Sequence, residues 1–114
     1  MVGLLEDRSD PRMPIMVMPA LSDGEYRGLS NAGPTQPDST ISRVGPYFTA
    51  ENATLNVASY ADMKFTEAEA RLILSGAVAA EAPYRAAIRA NMEKWGVAEA
   101  DIVLYLAARP PLAT

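Results

Sequence analysis

The chain has no histidine and no cysteine among its 114 residues. Without histidine there is no side chain whose ordinary pKa lies near neutrality. The commonest general base is therefore missing, together with histidine-activated nucleophiles and the usual imidazole ligands of zinc. Without cysteine there are no disulfides and no thiolate metal sites, which fits a reducing compartment. Lysine is scarce as well. Lys64 and Lys94 stand among polar neighbours that give no sign of the desolvation a nucleophilic lysine needs. No stretch gathers the glycines of a phosphate loop, and the longest apolar runs, such as "IVLYLAA", fall short of the roughly twenty residues of a membrane span. The start, "LLEDRSD", is acidic and lacks the pattern of a secretory signal. The cytoplasm, or a virion assembled there, is the expected location.

What is present is a chain of one domain's length with a net charge of −4. That balance argues against a general nucleic-acid or anionic-membrane binder, because both need clustered Lys and Arg. Hydrophobic residues make up 49% of the chain, but many are alanines, which bury little surface. A thin core is expected.

Composition shifts near residue 60. Residues 1–60 hold six of the nine prolines and five of the seven glycines. The first part, residues 1–46, reads as an extended Pro/Gly-rich arm with loops, and residues 47–114 as a small, mostly helical domain. The fold class is α+β or mainly α, with short strands followed by a C-terminal two- to three-helix unit. Strand candidates are Ile15 to Met18, Ile41 to Val44, and Thr54 to Tyr60, where Leu55 and Val57 alternate with Asn56. Asp-Gly in "LSDGEYRG" marks a turn, and "SNAGPTQPDS" a loop.

In the second part, Thr66 and Glu69 have capping-box spacing, which predicts a helix from Glu67 to about Glu81. "SGAVAA" would give it a low-bulk surface that either admits a close backbone or is simply an alanine helix. Pro83 suits the first turn of a second helix, in which Tyr84, Ala87, Ile88, Met92 and Trp95 recur on one face and predict core. Glu81 with Arg85, and Arg89 with Glu93, are i,i+4 pairs. Gly96 should end that helix. "VAEADIVLYLAARPP" predicts a third helix over a buried strand, with Glu99 and Asp101 in its first turn and Pro110-Pro111 as its stop. No internal repeat or heptad is apparent.

Few residues carry chemistry. The helix, "KWGV", helix arrangement resembles a helix-turn-helix over about twenty residues, but Ala98 to Leu104 offers Glu99 and Asp101 and no Arg, Lys, Asn or Gln to phosphate or base edges. Glu67 and Glu69 point to different sides of a helix, as do Glu99 and Asp101, so neither is an acid/base pair. "SDGEYRG" lacks the spacing of a calcium loop. No catalytic residue, cofactor or metal is expected.

The segment "MPIMVMP", Met13 to Pro19, sets five apolar side chains around two prolines, with Pro11 just before it. It should be unable to form a helix and makes a poor inner strand. Either Ile15 and Val17 form an edge strand on the chain's own sheet, or the segment docks into a neighbour's pockets. The expected partner contacts are Leu4, Leu5, Ile15, Met16, Val17 and Met18. The expected function is therefore non-enzymatic: an interaction protein docking by its arm in a large homomeric or mixed assembly, such as a bacteriophage capsid decoration, adaptor or completion protein. Its partners would be other protein subunits, with no sequence-specific nucleic acid and no membrane. The alternatives are an acidic inhibitor covering a basic nucleic-acid-binding surface, and a small enzyme subunit with a shared site.

Overall fold

The computed structural model describes residues 1–113, which begin with a short helix, α1 (Val2–Asp7), where the sequence predicts extended chain. Helical structure returns at Met13–Met16 (α2), a single turn opening the "MPIMVMP" segment. The segment was expected to exclude a helix, and the reason it does not is positional. Pro14 sits in the first turn, where backbone N–H groups have no intrahelical partner to lose. Between the two helices, the nearly buried Asp10 accepts hydrogen bonds from the Arg12 backbone N–H (3.0 Å) and from Arg12 Nε and Nη2 (2.9 and 2.6 Å). A buried carboxylate is tolerated because its oxygens are matched by a cation and an amide.

After α2 the chain extends into β1 (Val17–Met18), which pairs antiparallel with β2 (Arg43–Val44) in the register Val17 with Val44 and Met18 with Arg43. Two of the three strand candidates thus survive, each shortened to two residues. The Asp-Gly turn forms as predicted: Gly24 has a φ of +81°, and Asp23 accepts from the Glu25 N–H. Asp23 also pairs with Arg27, whose hydrogen bond lowers the carboxyl's pKa. Asp38–Thr40 makes a 3₁₀ turn, and β2 runs through Gly45 into a short helix, α3 (Pro46–Thr49). These elements belong to one compact unit, Met1–Thr54. The expected extended arm is not confirmed, since short helical turns and a two-stranded ladder occupy much of its length.

The second unit, Leu55–Thr114, is built on three helices: α4 (Tyr60–Ser75), α5 (Ala77–Lys94) and α6 (Glu99–Ala107). The third strand candidate does not form, and Leu55 and Val57 stay exposed. Its last residues instead start α4. Ser59 Oγ accepts from the Asp62 N–H (3.2 Å), while Asp62 Oδ2 accepts from the Ser59 N–H (2.9 Å) and hydroxyl (2.7 Å). This capping box pre-empts the one expected at Thr66, whose hydroxyl donates to the Asp62 carbonyl inside the helix (3.0 Å). The Ser59 hydrogen bond lowers the Asp62 pKa, so this contribution is present above the ordinary carboxylate range and is lost as pH falls through and below it. Ser59→Ala should cost about 1 kcal/mol of the unit's stability by thermal melting. A change under a few tenths would mean that another group caps the helix.

Gly76 separates α4 from α5 with φ +82° and ψ 176°, a backbone region essentially reserved for glycine. The second helix therefore starts at Ala77, and Pro83, expected in a first turn, lies inside it. The buried residues of α4 are Ala61 and Ala68; Ala77, Ala80, Pro83 and Ala87 are among those of α5. Small residues let the two helices pack closely, with the Phe65 and Tyr84 rings edge to face at 6.1 Å.

Gly96, at φ +74°, closes α5: its N–H bonds Glu93 O (3.0 Å) and the Val97 N–H bonds Met92 O (3.1 Å), a Schellman arrangement. Residues 102–106 are helical, as predicted. The unit's core joins Ile88 and Met92 of α5 to Ile102 and Tyr105 of α6, with Tyr84, Val97 and Leu106 packed against it. Trp95, expected in the core, is partly buried at the α5 terminus. Arg89 is 3.8 Å from its expected partner Glu93, but bonds both carboxylate oxygens of Glu99 at 2.7 and 2.6 Å, tying α5 to the first turn of α6.

Candidate binding surfaces

The six predicted contact residues do not form one exposed strip. Leu4 of α1 and Met18 of β1 face outward, Leu5, Ile15 and Met16 are partly buried, and Val17 is buried. Strand alternation accounts for the last pair, since successive side chains point to opposite faces.

Two surfaces of the second unit stand out; the sequence pointed only to the second, where "SGAVAA" reads as a low-bulk helix face. The first surrounds Tyr60, whose place at the start of α4 leaves it 65% exposed. One turn on, Lys64 Nζ lies 5.6 Å from the ring centroid and 2.7 Å from Glu67 Oε2, and Glu67 also pairs with Arg71 at 2.7 Å. The bond with Glu67 raises the Lys64 pKa, and the same bond lowers that of Glu67. Both shifts keep the pair ionised at neutral pH, so the ring stands beside fixed charges that can accept or donate hydrogen bonds, whereas Asp62, two residues on, is turned back to cap the helix at Ser59. An aromatic face beside oriented polar groups suits a ligand with one apolar face and a rim of hydroxyls. The signal was available in "SYADMKFTE", but Tyr60 was read there as the end of a strand.

The second surface is the turn of the α4–α5 hairpin. "LILSGAVAA", Leu72 to Ala80, carries no charge, and Ile73, Leu74 and Val78 are exposed, Val78 at 91%. Exposed apolar side chains gathered at one turn make this end of the hairpin a candidate interaction surface. In the first unit, the Tyr47 and Phe48 rings meet edge to face at 5.4 Å on α3. Among the described residues, no cluster of carboxylates has the geometry to hold a metal ion, and no helix is long and apolar enough to cross a membrane.

A family model described as SusD-like_2, starch-binding associating with outer membrane, matches residues 1–113. The chain belongs to that family. No curated protein matches it. Membership in the SusD-like family overturns the expectation of a virion, capsid or bacteriophage component, and with it the arm-docked assembly and the inhibitor alternative. It also overturns the cytoplasmic or virion location, because the family is described by its association with the outer membrane. The exclusion of any membrane among the partners conflicts with the same description. The acidic, lysine-poor composition misled on this point: it disfavours electrostatic attraction to anionic lipid and is silent on other modes of association. A non-enzymatic role agrees with the family's description as binding proteins.

Proposed function

We propose that this SusD-like chain contributes to binding a glucan polymer of the starch type at the outer membrane. The observation that carries the reading is the family match along residues 1–113. The exposed Tyr60 ring supports it, with Lys64 and Glu67 beside it to bond sugar hydroxyls while the ring takes the apolar face of a sugar. Association with a partner or surface at that membrane uses exposed apolar side chains, Ile73, Leu74 and Val78 in the second unit and Leu4 and Met18 in the first.

Native gel electrophoresis with soluble starch in the gel tests the glucan part. The wild-type chain is expected to be retarded by starch and not by dextran. Tyr60→Ala should weaken binding about fivefold to tenfold, the value of one aromatic contact of about 1–1.5 kcal/mol. Tyr60→Phe should keep most of the affinity. Mobility unaffected by starch would refute glucan binding by this chain, whereas retardation that survives Tyr60→Ala would move the contact to another surface.

A further inference from the structure

The chain leaving α6 is fastened to α5 by one ion pair. Arg85 Nη1 donates to Leu106 O (2.7 Å) and Nη2 to Arg109 O (3.1 Å), while Glu81 Oε2 accepts from the Leu112 N–H (2.8 Å). Glu81 Oε1 in turn bonds Arg85 Nε, which holds the two side chains in register. The sequence explains why such a fastening is required. Carbonyls at a helix C-terminus have no intrahelical donor, and Pro110 and Pro111 have no N–H to give. Leu112 carries the first backbone donor beyond them. The pair thus caps α6 from a neighbouring helix and anchors the strap after it.

We infer that Glu81 and Arg85 form a latch that holds Arg109–Leu112 on α5 and releases it when Glu81 is protonated. Protonation removes the negative charge that orients Arg85 and weakens the acceptor for the Leu112 N–H. Once the strap is released, the Arg109 carbonyl turns to water, while the Leu106 carbonyl keeps the Arg109 N–H (3.2 Å) at the helix end. Few other charges bear on this carboxylate. On α4, Lys64, Glu67 and Arg71 are bonded among themselves; on α6, Glu99 pairs with Arg89, and the Arg109 guanidinium lies over the Tyr105 ring at 4.3 Å. Pro110, Pro111 and Leu112 carry none. The Leu112 N–H, followed by Arg85, lowers the Glu81 pKa. The latch is therefore closed throughout the neutral range and opens only below the ordinary carboxylate range.

Amide hydrogen exchange by NMR on the full chain tests this, with Glu81→Gln as a mimic of the protonated state. At neutral pH the Leu112 amide should be protected in the wild type and exchange about tenfold faster in Glu81→Gln, with the Ile102 and Met92 amides unchanged. Acidifying the wild type should release Leu112 before Ile102 and Met92. If Glu81→Gln fails to fold by circular dichroism, this acid titration decides alone. An unprotected Leu112 in the wild type, protection that persists in a folded Glu81→Gln, or simultaneous loss of all three amides on acidification would overturn the latch.

Discussion

Met92→Ala is expected to bring the second unit close to unfolding at room temperature. Met92 is 0% exposed and Ile102 1%, the two largest side chains buried to that degree, and they meet where α5 and α6 cross. Truncating a buried methionine costs about 2–5 kcal/mol, from lost transfer energy and the cavity left behind. A unit of about sixty residues is stable by roughly 3–9 kcal/mol at ordinary per-residue values, so this loss is a large fraction of the total. Much of the other burial here is alanine, which leaves little bulk to collapse into the cavity. The melting temperature should fall by at least about 10 °C, since each kcal/mol shifts a domain of this size by about 4–8 °C. The single tryptophan, Trp95, lies at the end of α5 and provides a fluorescence reporter of this unit. Leu104→Ala, on the exposed side of α6, should stay within about 0.5 kcal/mol. Equal losses from both substitutions would mean that α6 packs through a different face.

The periodic part of this fold was legible. Ala87, Ile88 and Met92 recur at helical spacing and are buried, Gly96 ends their helix, and "IVLYL" continues as helix because its apolar residues Ile102 and Tyr105 fall on one face. What failed was the placement of starts. Two S/T-x-x-acidic spacings lie seven residues apart, at Ser59 and Thr66, and only the first precedes the helix. Local chemistry cannot choose between them, because a threonine inside a helix can satisfy its hydroxyl on the preceding turn, as Thr66 does. Proline gave two further errors for one reason. Its effect depends on where the helix begins, so misplacing that start misjudged both Pro14 and Pro83.

The proposed binding surface was less legible than the fold. A catalytic site often announces itself through residue types that are rare elsewhere, whereas an aromatic beside a few charges looks like ordinary surface helix. The absence of histidine and cysteine narrowed the chemistry and left every binding function open. In the sequence, Lys64 reads only as a lysine among polar neighbours and Glu67 only as one of two carboxylates on different sides of a helix; Tyr60, at the start of that helix, brings an aromatic ring to them. Association with the outer membrane had no counterpart in the residues singled out, and it was the family match that supplied it.

Gly45→Ala should disrupt the first unit while leaving the second folded. Gly45 has an ordinary negative φ of −67°, so its requirement is for space. A Cβ there would lie against the Ile15 carbonyl oxygen well inside van der Waals contact, and 3.0 Å from the carbonyl carbon and oxygen of Met16. These are backbone atoms, which cannot rotate away as a side chain would. The same glycine donates its N–H to Met16 O at 2.8 Å, immediately beyond the β1–β2 ladder, so relieving the clash means breaking the bond that seats β2 on the end of α2. Overpacking at a side-chain contact costs about 1–3 kcal/mol, and a backbone obstacle should reach the top of that range or exceed it. The ladder has only two residue pairs and little reserve. Hydrogen exchange should show lost protection at Val17 and Gly45-adjacent amides in Gly45→Ala, with the Met92 and Ile102 amides unaffected. Limited proteolysis should open new cuts at Arg12 and Arg43 before any in residues 60–107. An unchanged exchange pattern would mean that the backbone around Ile15 and Met16 can yield, and that "MPIMVMP" is held in place by its own turn, without help from β2.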